Sequence, residues 1–170
     1  MNKRLETKWT VTLGRIGNLP ASGTVASLVA LIFVIFYMFF IHLLINIFQF
    51  FSVDINMNEI KNIYFGSTIG IIVGSFKNIQ RALPLFDEKD PSEIVIDEVV
   101  GMLVTFWFVP INYKTLLLGF CLFRFFDISK PLGIKYIEKL PGAWGIILDD
   151  VAAALCANAC LQEFLYYGLV

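Results

Sequence analysis

The sequence predicts a membrane-embedded bundle of about five apolar helical segments joined by short amphipathic ones. Three observations predict it. Of 170 residues, 58% are hydrophobic and only 16% charged, where a soluble domain carries about 25% charged residues. The apolar residues gather into runs of helical length, broken by polar stretches and by Pro110 and Pro141-Gly142. The basic residues fall on alternate breaks, as in chains that cross a bilayer. No repeat or flexible linker divides the chain, so residues 1–170 read as a single domain. Thirteen basic side chains against fourteen acidic ones leave no nucleic-acid footprint.

Residues 1–18 are polar and basic, and the apolar run after them lacks a small-x-small cleavage signal, so they read as a retained segment. Residues 25–51 form the clearest span, interrupted only by Ser27, His42, Asn46 and Gln49. The run exceeds the ~20 residues a crossing requires. A polar stretch, 52–62, separates it from the shorter segment 63–76, whose Gly66, Gly70 and Gly74 repeat every four residues. That stripe is expected to let a neighbouring helix approach closely. Residues 77–93 are amphipathic, and Asp90 before Pro91 is expected to cap the next helix.

The third apolar segment, 94–109, stops at Pro110, and the fourth covers 115–126. Residues 132–140 are amphipathic and basic, and 145–170 form the last segment. Cys121, Cys156 and Cys160 sit in apolar runs without a CxxC pair and read as packing thiols. His42, mid-run, reads as a packed or interfacial imidazole.

If the N-terminus is cytoplasmic and all five segments cross, the inner side carries Lys3, Arg4, Lys8, Arg15, Lys77, Arg81, Lys89, Lys130, Lys135 and Lys139. The outer side carries Lys61 and Lys114, a bias of ten to two. This topology brings Ser22-Gly23-Thr24, Asp97-Glu98, the Arg124/Asp127/Lys130 group and Asp149-Asp150 to one membrane face.

Five carboxylates at the edges of apolar segments are costly unless something binds them, and a divalent cation is the simplest candidate. Carboxylates with a few cations are the composition of a Mg²⁺ site that handles phosphate. Arg124 and Lys130 flank Asp127 at −3 and +3, on roughly one helix face, where they could grip phosphate oxygens. Gly23-Thr24 at a helix start suits an anion, although a Thr N-cap explains it as simply. Each acid has a structural alternative: Asp149 or Asp150 as a helix cap, Asp127 paired with Arg124 or Lys130, Glu98 at the interface.

Three blocks, Ile94–Met102 with Asp97-Glu98, Phe123–Pro131 with Asp127, and Gly145–Asp150, resemble the phosphatidylglycerophosphatase A family over about residues 17–154. The chain has Ser22 and Ala26 where the family usually has proline and glycine, and Gly133 where it usually has a second proline. It also has Ala143, Ile147 and Ala154 in place of the family's usual glycine, methionine and glycine.

The resemblance implies an all-α fold in a bacterial inner membrane, with the active site facing the cytoplasm. It implies Mg²⁺-dependent removal of the terminal phosphate of phosphatidylglycerophosphate to give phosphatidylglycerol. Asp97, Glu98, Asp127, Asp149 and Asp150 are then the expected catalytic residues and metal ligands. Gly23, Thr24, Arg124 and Lys130 are the expected substrate-binding residues. Direct attack by metal-activated water fits a chain with one histidine and no evident nucleophile. The rival readings are an ion carrier or channel using the acids as a cation path, and a structural membrane subunit. Oligomeric state is not legible.

Overall fold

A computed structural model describes residues 3–50, 56–87 and 91–170. Among these the chain is helical, with no strand. In order, the α-helices are α1 (Lys3–Val11), α2 (Ser22–Phe50), α3 (Met57–Ala82), α4 (Ile96–Thr105), α5 (Tyr113–Ser129), α6 (Ile134–Ile137) and α7 (Ala143–Tyr166). Short 3-10 turns cover Ile16–Asn18 and Leu83–Leu85.

Ten-residue α4 is the centre of the bundle, packing on α7, α2, α3 and α5. Every residue from Val100 to Thr105 is buried, as expected of a helix enclosed on all sides. Close approach is possible because Gly101 presents no side chain to the Phe123 ring of α5, and Gly119 none to Phe106. A buried helix end leaves carbonyls that water cannot reach. Here Tyr64 of α3 donates to Leu103 O at 2.7 Å, and Asn158 Nδ2 of α7 donates to Thr105 O at 2.9 Å and Trp107 O at 2.8 Å.

Among the described residues two helices are long and apolar enough to cross a membrane: α2, over Ser22–Phe48, and α7. They differ in their surroundings. In α2 only 22% of the most apolar window is buried, against 56% in α7. Phe33, Phe36, Phe39, Phe40 and Phe48 of α2 are all exposed. An apolar face of that extent marks a surface made for lipid or for another protein.

The structure corrects several boundaries. Of the expected five spans, two are matched among the described residues by helices that qualify by length and composition. At ~1.5 Å per residue, α4 is about 15 Å long and too short to cross. Residues 57–62 of the polar stretch, the 63–76 segment and the start of the 77–93 segment merge into one helix, α3, because Asn56 and Glu59 form a capping box inside the polar stretch. Gly66, Gly70 and Gly74 have nothing within reach of an added Cβ, so no described residue packs on that stripe. Asp90 lies outside the described residues. Pro91 does not open a helix, because α4 begins at Ile96 after the uncapped Val95. Residues 132–140 yield only the four-residue α6. Cys121 is exposed rather than packed, and all three cysteines are free thiols.

Candidate active site

The first turn of α4, the start of α2, the last turns of α5 and the second turn of α7 meet at one end of the bundle. Asp97 and Glu98 occupy the first turn of α4. Asp150, buried on α7, reaches them: one oxygen from each of Asp97, Glu98 and Asp150 lies within 4.8 Å of the others. Glu98 Oε2 and Asp150 Oδ2 are buried without a hydrogen-bond partner. Orphaned buried carboxylate oxygens cost several kcal/mol each unless a proton or a cation joins them. Three convergent hard oxygen donors, two with vacant lone pairs, fit a divalent cation such as Mg²⁺.

Asp127 and Asp149 stand beside this trio and already have partners. Arg124 Nη1 forms an ion pair with Asp127, three residues on along α5. Lys130 Nζ lies 2.6 Å from Asp149 Oδ2 and 2.8 Å from Glu138 Oε1. Asp127 is still close enough to Glu98, Asp149 and Asp150 to act on each electrostatically. The five predicted acids therefore form one electrostatic unit with two layers, three with no ion pair among the described residues and two paired with a cation. The expected helix-face trio of Arg124, Asp127 and Lys130 is not formed. Lys130 caps α5 in the left-handed region, at φ 44°, and turns away to α7. Nor does Asp149 cap α7, which starts six residues earlier.

Lys130 stays charged. Burial alone would pull its pKa down, but hydrogen bonds to Asp149 and Glu138 outweigh that and hold it above the ordinary lysine value.

Gly23 and Thr24 lie within the first turn of α2, facing the same group. Arg124 Nη2 donates to Thr24 Oγ1 and Nη1 to Ser27 Oγ, both at 3.4 Å. Ser27 in turn donates to Gly23 O at 2.8 Å. A Cβ on Gly23 would sit 2.5 Å from Glu98 Oε1 and 3.3 Å from Arg124 Nη2. Glycine is thus required here by closeness rather than by φ. Ser22 Oγ donates to Ser92 O at 3.0 Å and ties this turn to the loop before α4.

Two contributors went unread in the sequence. Ser27 sits one helical turn from Gly23, a signal that could have been used. Glu138 is brought in only by the loop after α5, for which no local pattern exists. That loop bends sharply: Lys130, Leu132 and Gly133 all have positive φ. Gly133, at φ 88°, holds a conformation closed to the proline the resemblance implies there.

The family model for phosphatidylglycerophosphatase A matches residues 9–164. The chain belongs to the phosphatidylglycerophosphatase A family. Among relatives, a Haemophilus influenzae protein named Phosphatidylglycerophosphatase A is 46% identical over 82 residues, 47% of this chain and 50% of that protein. One of the same name from Escherichia coli K12 is 32% identical over 95 residues, 55% of each. A Bacteroides thetaiotaomicron protein bearing the name "Putative phosphatidylinositol-3-phosphatase" is 43% identical over 70 residues, 39% of this chain and 44% of that protein. The chain spans about half the length of the curated relatives it matches. No solved structure matches it.

Proposed function

We propose that this protein is a Mg²⁺-dependent phosphomonoesterase that removes the terminal phosphate of phosphatidylglycerophosphate, giving phosphatidylglycerol. The observation that carries the reading is the trio Asp97, Glu98 and Asp150, two of its oxygens unpartnered, beside a fixed arginine. A cation path is not favoured, because the acids gather at one end of the bundle rather than along it.

Asp97, Glu98 and Asp150 would hold the ion. When bound, Mg²⁺ supplies charge neutralisation on the phosphoryl group and eases deprotonation of water. The phosphate oxygens are received by Arg124, already aimed by Asp127, Thr24 and Ser27, and by Lys130, held between Asp149 and Glu138. Gly23 leaves room for the phosphate beside Glu98. Asp127 and Asp149, each neutralised by a cation, are free to orient water in line with the ester oxygen. Water oxygen bonds to phosphorus as the ester P–O bond breaks, and the glycerol oxygen leaves with a proton. Pre-set donors contribute most where charge develops.

We place α2 and α7 across a bacterial inner membrane with α3 crossing back between them, which puts the site, Lys77 and Arg81 at the cytoplasmic face and Lys61 at the other. The shorter helices complete a multi-pass or half-sunk bundle around α4.

The name of the Bacteroides relative favours one second reading, an inositol phospholipid as substrate. Purified protein offered phosphatidylglycerophosphate, phosphatidylinositol 3-phosphate and phosphatidic acid separately, with Mg²⁺ or EDTA, decides among them by phosphate release. Fastest release from phosphatidylglycerophosphate, lost in EDTA, is expected. A preference for the inositol lipid would replace the substrate, and a rate indifferent to EDTA would remove the metal.

A further inference from the structure

A cavity lies at the other end of the bundle from the carboxylates, between α2, α3 and the turn that follows α4. Its volume is about 720 Å³, within the range of sites that take small organic ligands. Phe39, Phe108 and Leu116 are among its apolar walls, and its polar lining includes His42, Asn46 and Lys61. No carboxylate is among the lining residues. His42, Asn46 and Lys61 are all exposed, and Lys61 makes no ion pair among the described residues. Tyr64, which also lines the cavity, has its hydroxyl committed to Leu103 O.

One wall is set by backbone strain. Phe108 holds φ 61°, a cost a non-glycine residue bears only where its surroundings demand it. The turn lays Phe108 and Trp107 against Phe65 of α3, with ring centroids at 5.6 and 4.6 Å, and so keeps the cleft open. His42 is eighteen residues beyond Thr24 on the same helix, a rise of about 27 Å. That is close to the ~30 Å depth of a bilayer's hydrocarbon core. With the carboxylates at one interface, Lys61 and His42 stand near the other.

We propose that this cleft binds one anionic phospholipid from the leaflet opposite the carboxylate site. An acyl chain lies along Phe39, Phe108 and Leu116, and the phosphate rests on Lys61 with Asn46 and His42 beside it. Apolar walls, a single unpaired cation and the absence of lining carboxylates select a negatively charged amphiphile over a neutral or cationic one. The proposal rests on the membrane placement above and is independent of the substrate.

Native mass spectrometry of the full chain in detergent tests it, with dioleoylphosphatidylserine or dioleoylphosphatidylcholine added in turn under EDTA. Neither probe carries a phosphomonoester. One saturable adduct is expected, with phosphatidylserine preferred about fivefold or more, the scale of one basic residue facing anionic lipid. Lys61→Glu should abolish the preference, and Leu116→Trp should displace the adduct. Thr24→Val, at the far end of α2, should leave both unchanged.

Equal retention of the two lipids, or adducts that accumulate without saturating, would overturn the proposal as unspecific annular lipid. So would a preference that survives Lys61→Glu, an exposed position where folding is not at stake. Recovery of the protein in the soluble fraction without detergent would instead defeat the membrane placement.

Discussion

Replacing Gly23 with alanine adds one methyl group and separates chemistry from folding. That carbon would sit 2.5 Å from Glu98 Oε1, whereas carbon and oxygen not covalently bonded rarely approach closer than about 3.3 Å. The carboxylate must therefore retreat by about 0.8 Å from the position it holds beside Asp97 and Asp150. Backbone is not an obstacle, since the atoms that yield are the ends of Glu98 and Arg124. Alanine also favours the helix over glycine by up to about 1 kcal/mol. Folding should consequently hold or improve slightly while the site is spoiled. A misplacement near 1 Å costs about 10²-fold in rate, so kcat for phosphate release should fall by about that factor, and the Mg²⁺ needed for half-activity should rise. Thermal unfolding in detergent should be unchanged or higher. A kcat within twofold of the parent, at an unchanged Mg²⁺ requirement, would refute the placement of Glu98 in the site. Gly101→Ala is the contrasting control: its methyl would enter the Phe123 ring in the core, so stability should be lost first.

Asp97→Asn and Asp150→Asn should each lower kcat about 10²-fold or more; near-normal turnover would take that residue out of the site. Lys130→Met leaves Asp149, with a side chain only 9% exposed, unpaired. It should destabilise the protein by about 1–3 kcal/mol, and Asp149→Asn in the same chain should restore most of that stability without restoring activity. A double variant no more stable than Lys130→Met would deny the pair its structural role. With the three native cysteines replaced, Lys77→Cys and Arg81→Cys should resist impermeant thiol reagents applied outside intact cells, while Lys61→Cys reacts. The reverse pattern would invert the topology.

The helical class and the acids were legible because each rests on a local signal: long apolar runs, and charges where charge is costly. Boundaries failed where tertiary or capping chemistry decided. Asn56 and Glu59 start α3 inside a stretch whose polarity read as a loop. The 94–109 run read as a span, yet α4 occupies ten of its residues, and left-handed Phe108 turns the chain away from it. Arg124 and Lys130 looked equivalent at −3 and +3 from Asp127. The sequence does not reveal that α5 ends at Ser129, so that a left-handed Lys130 points to α7 while Arg124 stays on the helix. Whether Asp149 is paired depends on that one residue's conformation, whereas the Arg124–Asp127 pair lies within α5 itself.

Capping quality divides along the same axis as function. Away from the carboxylates, α3 and α5 each start with a complete capping box, from Asn56 with Glu59 and from Asn112 with Thr115. At the carboxylate end, α4 and α7 start at Val95 and Gly142 with no side-chain cap, forgoing about 1 kcal/mol at Val95 and a few tenths at Gly142. Ala21 and Lys130, which border the same end, hold positive φ without being glycine. A sequence selected for stability alone would place Ser, Asn or Asp before α4, where Asp97 and Glu98 stand two and three residues too late to cap it. Those acids instead turn inward toward Asp150, and the uncapped first turn leaves its backbone N–H groups, with their partial positive charge, next to bare carboxylates. Weak caps are therefore concentrated where the charges must be held, and the well-capped ends of α3 and α5 and the buried interior of α4 offset their cost.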